Sequence, residues 1–429
     1  MLTNTTLTTT NKDRFFGENG IVFTRAYSQA TKTRPSVPSM MTGLLPTATG
    51  VYWFTDHLAD EFLTLPEVLR SQGFVTASFI QNYQSGKLTG LDQGFSHFYG
   101  VDVCGGSTES LYERLLPWLE QHKEENTFVY AHIMDPHGVY DPPPSYRRWH
   151  SEVEGEGAKI IDRYSEYLDP DWETRPSKLG REALYDGEIR HNDDVFKNLV
   201  DRLKEWNMLD DTILIFIGDH GEFLGEKGLW EHHPPGFVQV INVPFLLHYP
   251  RRFEGGRRVN EGVQLIDLMP TILELAGIDS KKFALHGRSL LDLIAKKRKK
   301  LWKHRLLVSE EPTTLELQGD PDLIVGSLIK GNQHWIRAGV GLPYSSTLTR
   351  TLSEPEVMIF DMSSNPEEFI RGRALSSLLV KQVYSDLIRR IRDLSRKTKG
   401  HIIGSDDEDY EHEVDPEAVK QLRDLGYLN

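Results

Sequence analysis

The stretch that most constrains this chain runs from Thr212 to His233, TILIFIGDHGEFLGEKGLWEHH. Ile213 to Ile217 is an unbroken apolar run, short for a helix and rich in β-branched residues, and it reads as a fully buried strand of an α/β sheet. The run stops at Gly218-Asp219-His220-Gly221-Glu222, where glycines bracket an acid and an imidazole. In open α/β sheets ligands gather beyond the carboxyl ends of strands, where turns and side chains converge. An Asp beside a neutral His at such a place supplies half of a divalent-metal site. Taken alone, Asp219-His220 also fits a turn with a capping acid and a surface imidazole. Glu222, Glu226 and the pair His232-His233 that follow favour a metal loop.

A sheet around that strand needs a large core, and 429 residues of which 38% are hydrophobic can bury one large domain and a smaller one. The net charge of -14 argues against a nucleic-acid partner. Cys104 is the lone cysteine, which excludes an internal disulfide and fits a reducing compartment. No apolar run approaches the ~20 residues of a membrane span. Residues 1–12 are Thr/Asn-rich, without the basic start and apolar core of a secretion signal, and read as a frayed leader. The expected compartment is the cytoplasm.

Along the chain, Asp13 opens a short helix that ends near Gly17 to Gly20, and Ile21-Val22-Phe23 enters a strand. Thr64 to Gly73 has a helix signature, with Thr as N-cap, an early Pro and Gly as stop. Phe74 to Ile80 and Phe128 to Ile133 read as strands, and Leu111 to His122 as an amphipathic helix. The second strand leads into His132-Ile-Met-Asp135-Pro136-His137-Gly-Val-Tyr140. Residues 150–180 have poor periodicity and fit an insertion over the site. Leu184 to Met208 reads as a long helix, whose Tyr185-Asp186-Gly187-Glu188 acids are taken as an N-terminal charge set. The run Lys296 to Lys300 is a surface patch at a helix end and marks the candidate boundary. Leu306 to Asp361 alternates in the manner of an antiparallel sheet. Leu378 to Leu394 reads as a helix, and Asp406 to Glu413 as an acidic loop.

Thr31 to Gly50, TKTRPSVPSMMTGLLPTATG, carries the second motif. With it the chain resembles the sulfatase branch of the alkaline phosphatase superfamily, whose corresponding stretch reads Cys/Ser-x-Pro-Ser-Arg, with Thr-Gly starting five positions after the Arg. The resemblance extends from about Asp13 to Leu428, including Phe360-Asp361-Met362 with Asn365-Pro366-Glu367-Glu368 and the final LRDLGYL. Counting back from Thr42-Gly43 puts Thr33 at the nucleophile position, with Pro35 and Ser36 in register. Val37 replaces the motif's Arg, and Thr33 replaces the Cys or Ser that sulfatases convert to formylglycine. Gln81 and Tyr83 stand where sulfatases usually carry a Lys and a His.

The resemblance implies an α/β fold with an alkaline-phosphatase-like core: a mixed central sheet flanked by helices, over residues 1–300, and a smaller C-terminal α+β subdomain over 301–429. It implies one divalent ion (Ca, Mg, Mn or Zn) held by Asp219, His220 and Thr33, with Thr33 as the nucleophile. His137 would contact the ester's leaving oxygen, a task suited to an imidazole. Asn82 could hydrogen-bond a substrate oxygen, or serve its own loop. His232 or His233 would contact the transferred group where sulfatases use Lys. The implied substrate is a small-molecule, glycan or lipid-type ester of phosphate or phosphonate, because the departures all remove residues a sulfatase would use. A true sulfate-ester hydrolase and a non-catalytic binding protein on the same fold are the alternatives. Sulfatase-like enzymes begin with a strand ending in one or two acids that complete the metal site. Nothing before Asp13 matches it, so the expectation is a weak metal site and an uncovered slot beside the central strands.

Overall fold

In the computed structural model, β6 (Leu214–Ile217) indeed carries the loop 218–222, but it is not enclosed as expected. Each of its residues is only partly buried, because among the described residues β6 is the end strand of its sheet and pairs only with β10 (Phe245–His248), antiparallel. The structure describes residues 10–101, 105–138, 140–147, 175–226, 229–232, 236–303, 305–312, 324–338, 356–364 and 373–374. His233, Lys227 and Gly228, the expected helix 378–394, the acidic loop, most of the expected insertion, and the 365–368 and LRDLGYL motifs lie outside these residues.

The sheet containing β6 has the order β11-β1-β10-β6, with β1 at Ile21–Phe23 and β11 at Arg257–Val259. It is mixed: β1 runs parallel to β11 and antiparallel to β10. A second sheet, β4-β3-β5, is wholly parallel, formed by β3 (Val75–Ile80), β4 (His97–Tyr99) and β5 (Thr127–His132). β5 ends that sheet as β6 ends the other, and its residues too are half-buried or exposed, whereas β3 and β10 are buried. A small sheet joins β2 (Ala26–Tyr27) to β9 (Asn242–Val243) and β12 (Val263–Gln264), and β7 (Phe223–Leu224) forms a hairpin with β8 (Trp230–Glu231).

The helices longer than one turn flank these sheets: α1 (Thr10–Asn19), α2 (Thr33–Thr42), α3 (Leu65–Ser71), α4 (Thr108–Gln121), α5 (Arg175–Glu205) and α6 (Leu268–Leu275). Residues 10–12 belong to α1 rather than to a frayed leader. Asp193 of α5 accepts from the backbone N–H groups of Asn11 (2.7 Å) and Lys12 (2.8 Å), which caps α1 from another element. The helix α3 starts as its sequence signature demands, with a capping box in which Thr64 and Glu67 exchange hydrogen bonds. By contrast α5 begins at Arg175, ahead of the expected start, so Asp186 and Glu188 lie inside it and are no N-terminal charge set.

One core cluster packs Val37, Met40 and Met41 of α2 against Ile21, Phe23, Phe245 and Leu247 of the mixed sheet. Another packs α4 and α5 against Ala77, Phe79, Val22 and Leu246. Beyond residue 303 an antiparallel sheet runs β13-β14-β15-β16-β17, over Leu307–Pro312, Ile324–Lys330, Gln333–Ala338, Glu356–Asp361 and Arg373–Ala374. Its Ile336 and Phe360 share a cluster with Phe223, Phe237 and Val240, so this sheet supports the segment that follows β6. Asp267, at the start of α6, forms a fork with Arg305 at 2.5 and 2.7 Å, both side chains almost fully buried. Among the described residues no helix is long and apolar enough to cross a membrane.

Candidate active site

The turn after β6 is shaped by its glycines. A Cβ on Gly221 would sit 2.3 Å from the Gln239 carbonyl oxygen, an impossible contact, and the Gly221 N–H donates to the Val240 carbonyl at 2.7 Å. Only glycine lets the loop pass this close to residues 239–240. Asp219 and His220 are thereby delivered to the first turn of α2. The Asp219 carbonyl accepts from Ser36 Oγ of that turn at 2.7 Å and from Ser28 Oγ.

Thr33 is the first residue of α2 and is buried. Its Oγ1 lies 3.2 Å from His220 Nε2 and accepts from Asn82 Nδ2 at 3.3 Å. His220 Nδ1 donates to the Gly221 carbonyl at 3.0 Å, which leaves Nε2 as the lone-pair nitrogen facing Thr33. Asn82 serves its own loop as well, since its Oδ1 accepts from Gln84 N–H at 2.9 Å and caps a short 3-10 turn. Asp219 Oδ1 takes the His220 N–H at 3.0 Å, while Oδ2 is buried without a hydrogen bond. Burial pushes the Asp219 carboxyl up, but His220, His132 and the nearby Thr33 hydroxyl together hold it below its ordinary range. An anionic carboxylate oxygen left bare beside an imidazole nitrogen and a hydroxyl is a donor set that suits a divalent cation.

His137 and His232 join this group. The ring centroids of His220 and His232 are 4.5 Å apart, those of His137 and His232 4.9 Å, and those of His137 and His220 6.4 Å. His137 Nδ1 donates to the Gly138 carbonyl at 2.6 Å. Burial, reinforced by His220, pulls its pKa down to about 4, so it is neutral at physiological pH and presents an acceptor at Nε2. To protonate a leaving oxygen it must first take up a proton with the substrate. His132 is half-buried at the end of β5, its Nδ1 2.6 Å from Tyr130 Oη, and burial lowers its pKa.

Glu222 was noted in the sequence only as part of the loop, and the structure gives it a place. Its buried carboxyl meets His232 Nδ1 at 3.2 Å and accepts from Tyr140 Oη. Burial first, then Glu231, raises its pKa well above the ordinary carboxylate value. His137, Glu222 and His232 offer donor atoms within 4.8 Å of one another. Glu188 is a further residue that the sequence reading set aside. From inside α5 it accepts the Asp141 N–H at 2.6 Å, and burial pushes it up to about 9, so it anchors the loop that carries His137 as a neutral acid. Gln81, in contrast, is committed to its own loop, donating to the Ser107 carbonyl at 2.6 Å.

Thr33, Asn82, His137 and His232 line a cleft that opens to solvent. Arg34, Tyr52 and Trp53 form further parts of its wall. Their signal was present in the sequence as the positions beside Thr33 and after Gly50, but nothing local showed that the two segments meet.

The arylsulfatase of Clostridium perfringens is 26% identical to this chain over 198 residues, 41% of this chain and 39% of that protein. Human N-acetylglucosamine-6-sulfatase is 23% identical over 354 residues, 68% of this chain and 62% of that protein. The chain spans about half the length of the curated relatives it matches. Among solved structures, the phosphonate monoester hydrolase of Silicibacter pomeroyi superposes with a TM-score of 0.71 at 18% identity, covering 92% of each chain, which establishes a shared fold. The family model described as Sulfatase matches residues 2–278, through the α2 motif and the Asp219-His220 loop alike, and the chain belongs to the sulfatase family.

Proposed function

We propose that the chain is a hydrolase or transferase of phosphate or phosphonate esters, with Thr33 as the attacking group. The observation that carries this reading is the Thr33 hydroxyl, 3.2 Å from His220 Nε2 at the start of a helix and on the floor of an open cleft. Asp219 Oδ2, His220 Nε2 and Thr33 Oγ1 would hold one divalent ion, whose chemistry there is to lower the hydroxyl's pKa and to neutralise charge on the transferred group. The positive end of the α2 dipole lies at the same place. Asn82 Nδ2 holds the Thr33 oxygen in position. His137 Nε2 faces the leaving oxygen and supplies a proton once an anionic substrate has raised its affinity for one. Glu222 accepts from His232 Nδ1 and thereby presents Nε2 of that ring to the transferred group; the adjoining His233 remains the other candidate for that contact.

A sulfate ester is the second reading, favoured by the sulfate esters named in the relatives' descriptions. Against it stand Thr33, Val37, Gln81 and Tyr83, each in place of a residue sulfatases use. The test is a panel of nitrophenyl phosphate, phosphodiester, phosphonate and sulfate, each with Ca, Mg, Mn or Zn, on the wild-type chain and on Thr33→Ala. Phosphorus esters are expected to turn over faster, and folded Thr33→Ala to lose about a thousandfold or more. A clear preference for the sulfate would restore sulfate chemistry, and near-normal rates in Thr33→Ala would remove Thr33 from the mechanism.

A further inference from the structure

Beside Thr33 lies a buried cation that the proposed chemistry does not use. Arg34 is 3% exposed and still lines the cleft. Its Nε donates to Gln84 Oε1 at 2.6 Å and its Nη1 to the Asp56 carbonyl at 2.7 Å, both neutral acceptors. Among the described residues no carboxylate forms an ion pair with it. The Asp56 carboxylate is occupied elsewhere, accepting from the Tyr52 and Trp53 N–H groups at 2.7 and 2.6 Å. Burial lowers the guanidinium only to about 10, so it carries its charge at neutral pH. Gln84 adds an independent observation. Because its Oε1 faces Arg34, its other terminal atom is the amide Nε2, and this buried donor has no hydrogen-bond partner. Gln84 is 7% exposed and lines the same cleft.

The Asp56 carboxylate lies near enough to favour the charge but makes no ion pair with it, and a buried charge so incompletely compensated is costly, as is a buried N–H without an acceptor. Both costs vanish together if an anionic oxygen enters the cleft between them. We propose that Arg34 and Gln84 form an anion subsite that receives a second negative charge of the substrate, so that the cleft selects doubly charged esters over singly charged ones. This rests on the reading that the cleft is the ester site. The second charge has two chemical sources: the transferred group itself, as in a phosphate monoester dianion, or a separate carboxylate on the alcohol.

Equilibrium binding to the Thr33→Ala protein, followed by calorimetry at pH 8, separates them. Phenyl sulfate carries one charge, phenyl phosphate two on one group, and 4-carboxyphenyl sulfate two on separate groups. At least one doubly charged probe is expected to bind about tenfold or more tightly than phenyl sulfate, and which one does so identifies the source. Arg34→Met is expected to erase that advantage. Because this variant also loses the tethers to Gln84 and Asp56, Gln84→Glu serves beside it: the new carboxylate gives Arg34 an internal partner, so the advantage disappears while the melting temperature holds or rises. Equal affinities for all three probes in the Thr33→Ala protein overturn the proposal, as does an advantage that survives in Gln84→Glu. Hydrolysis is not the readout, so a failure of wild-type turnover, which would defeat the ester reading, leaves this measurement interpretable.

Discussion

Asp219 is held by its backbone rather than by its carboxylate. Ser28 and Ser36 bind its carbonyl, Oδ1 caps the next N–H, and Oδ2 is left bare inside the site. Tethered this way, the side chain can be removed without loosening the loop. Asp219→Ala is therefore expected to keep the far-ultraviolet circular dichroism of the wild type while losing about a thousandfold or more in turnover. A folded Asp219→Ala protein that turns over normally would take this carboxylate out of the chemistry. The histidines behave differently, because each is aimed by what its Nδ1 touches: the Gly221 carbonyl for His220, the Gly138 carbonyl for His137 and Glu222 for His232. Each Nδ1 contact fixes the rotation of its ring and so the direction in which Nε2 points.

At the level of elements, α3 shows how far local sequence carries. Thr64, Pro66 and Glu67 specify its start, and the capping box they form is present in full. Thr64→Ala removes the acceptor for the Glu67 N–H and is expected to cost about 1 kcal/mol, read as a lower midpoint in urea with an unchanged slope. A null effect there would mean that packing of Leu65, Val68 and Leu69 against α6 sets the helix end without the cap. The end strands β5 and β6 illustrate the reverse. Both read as buried in sequence, since apolar runs are all that a sequence can display, yet each ends its sheet and is partly open. Likewise, α5 extends upstream of the apolar periodicity that signals it, and this converts Glu188 from a helix-start acid into the anchor of the His137 loop.

Across the whole molecule, the C-terminal sheet and the cleft are joined through Glu310. This β13 carboxylate is 1% exposed and accepts from Thr47 N–H at 2.8 Å, from Thr47 Oγ1 at 3.1 Å and from Tyr52 Oη of the cleft wall at 3.4 Å. Burial raises its pKa from 4.5 to about 7, despite the opposing hydrogen bonds from Thr47 and Tyr52. The native state thus keeps a proton that the unfolded chain has released, so stability from this group is fully present below pH ~4.5 and is lost as pH rises to ~7. The change is of order 3 kcal/mol. Urea unfolding across that window is expected to show this fall, and Glu310→Gln, which cannot ionise, is expected to flatten it. If the variant keeps the wild-type slope, Glu310 is not its source.

Short-range signals in the chain were enough for the turn after β6, the Thr33 turn and the cap of α3. Each is a run of neighbouring residues whose turn geometry or hydrogen bonds close within the run: glycines that permit a turn, a Thr that caps a helix, an Asp followed by a His. Family membership followed from the same short motifs, because their order along the chain was intact. What local reading could not supply was every relation between distant segments. Arg34 meets the Asp56 carbonyl across a loop, Glu222 meets Tyr140, Glu188 reaches the loop after β5, and Glu310 reaches Tyr52. These contacts are made by packing, which brings together residues with no sequence relation and then decides, through burial, which acids keep their protons and which cation meets only neutral acceptors.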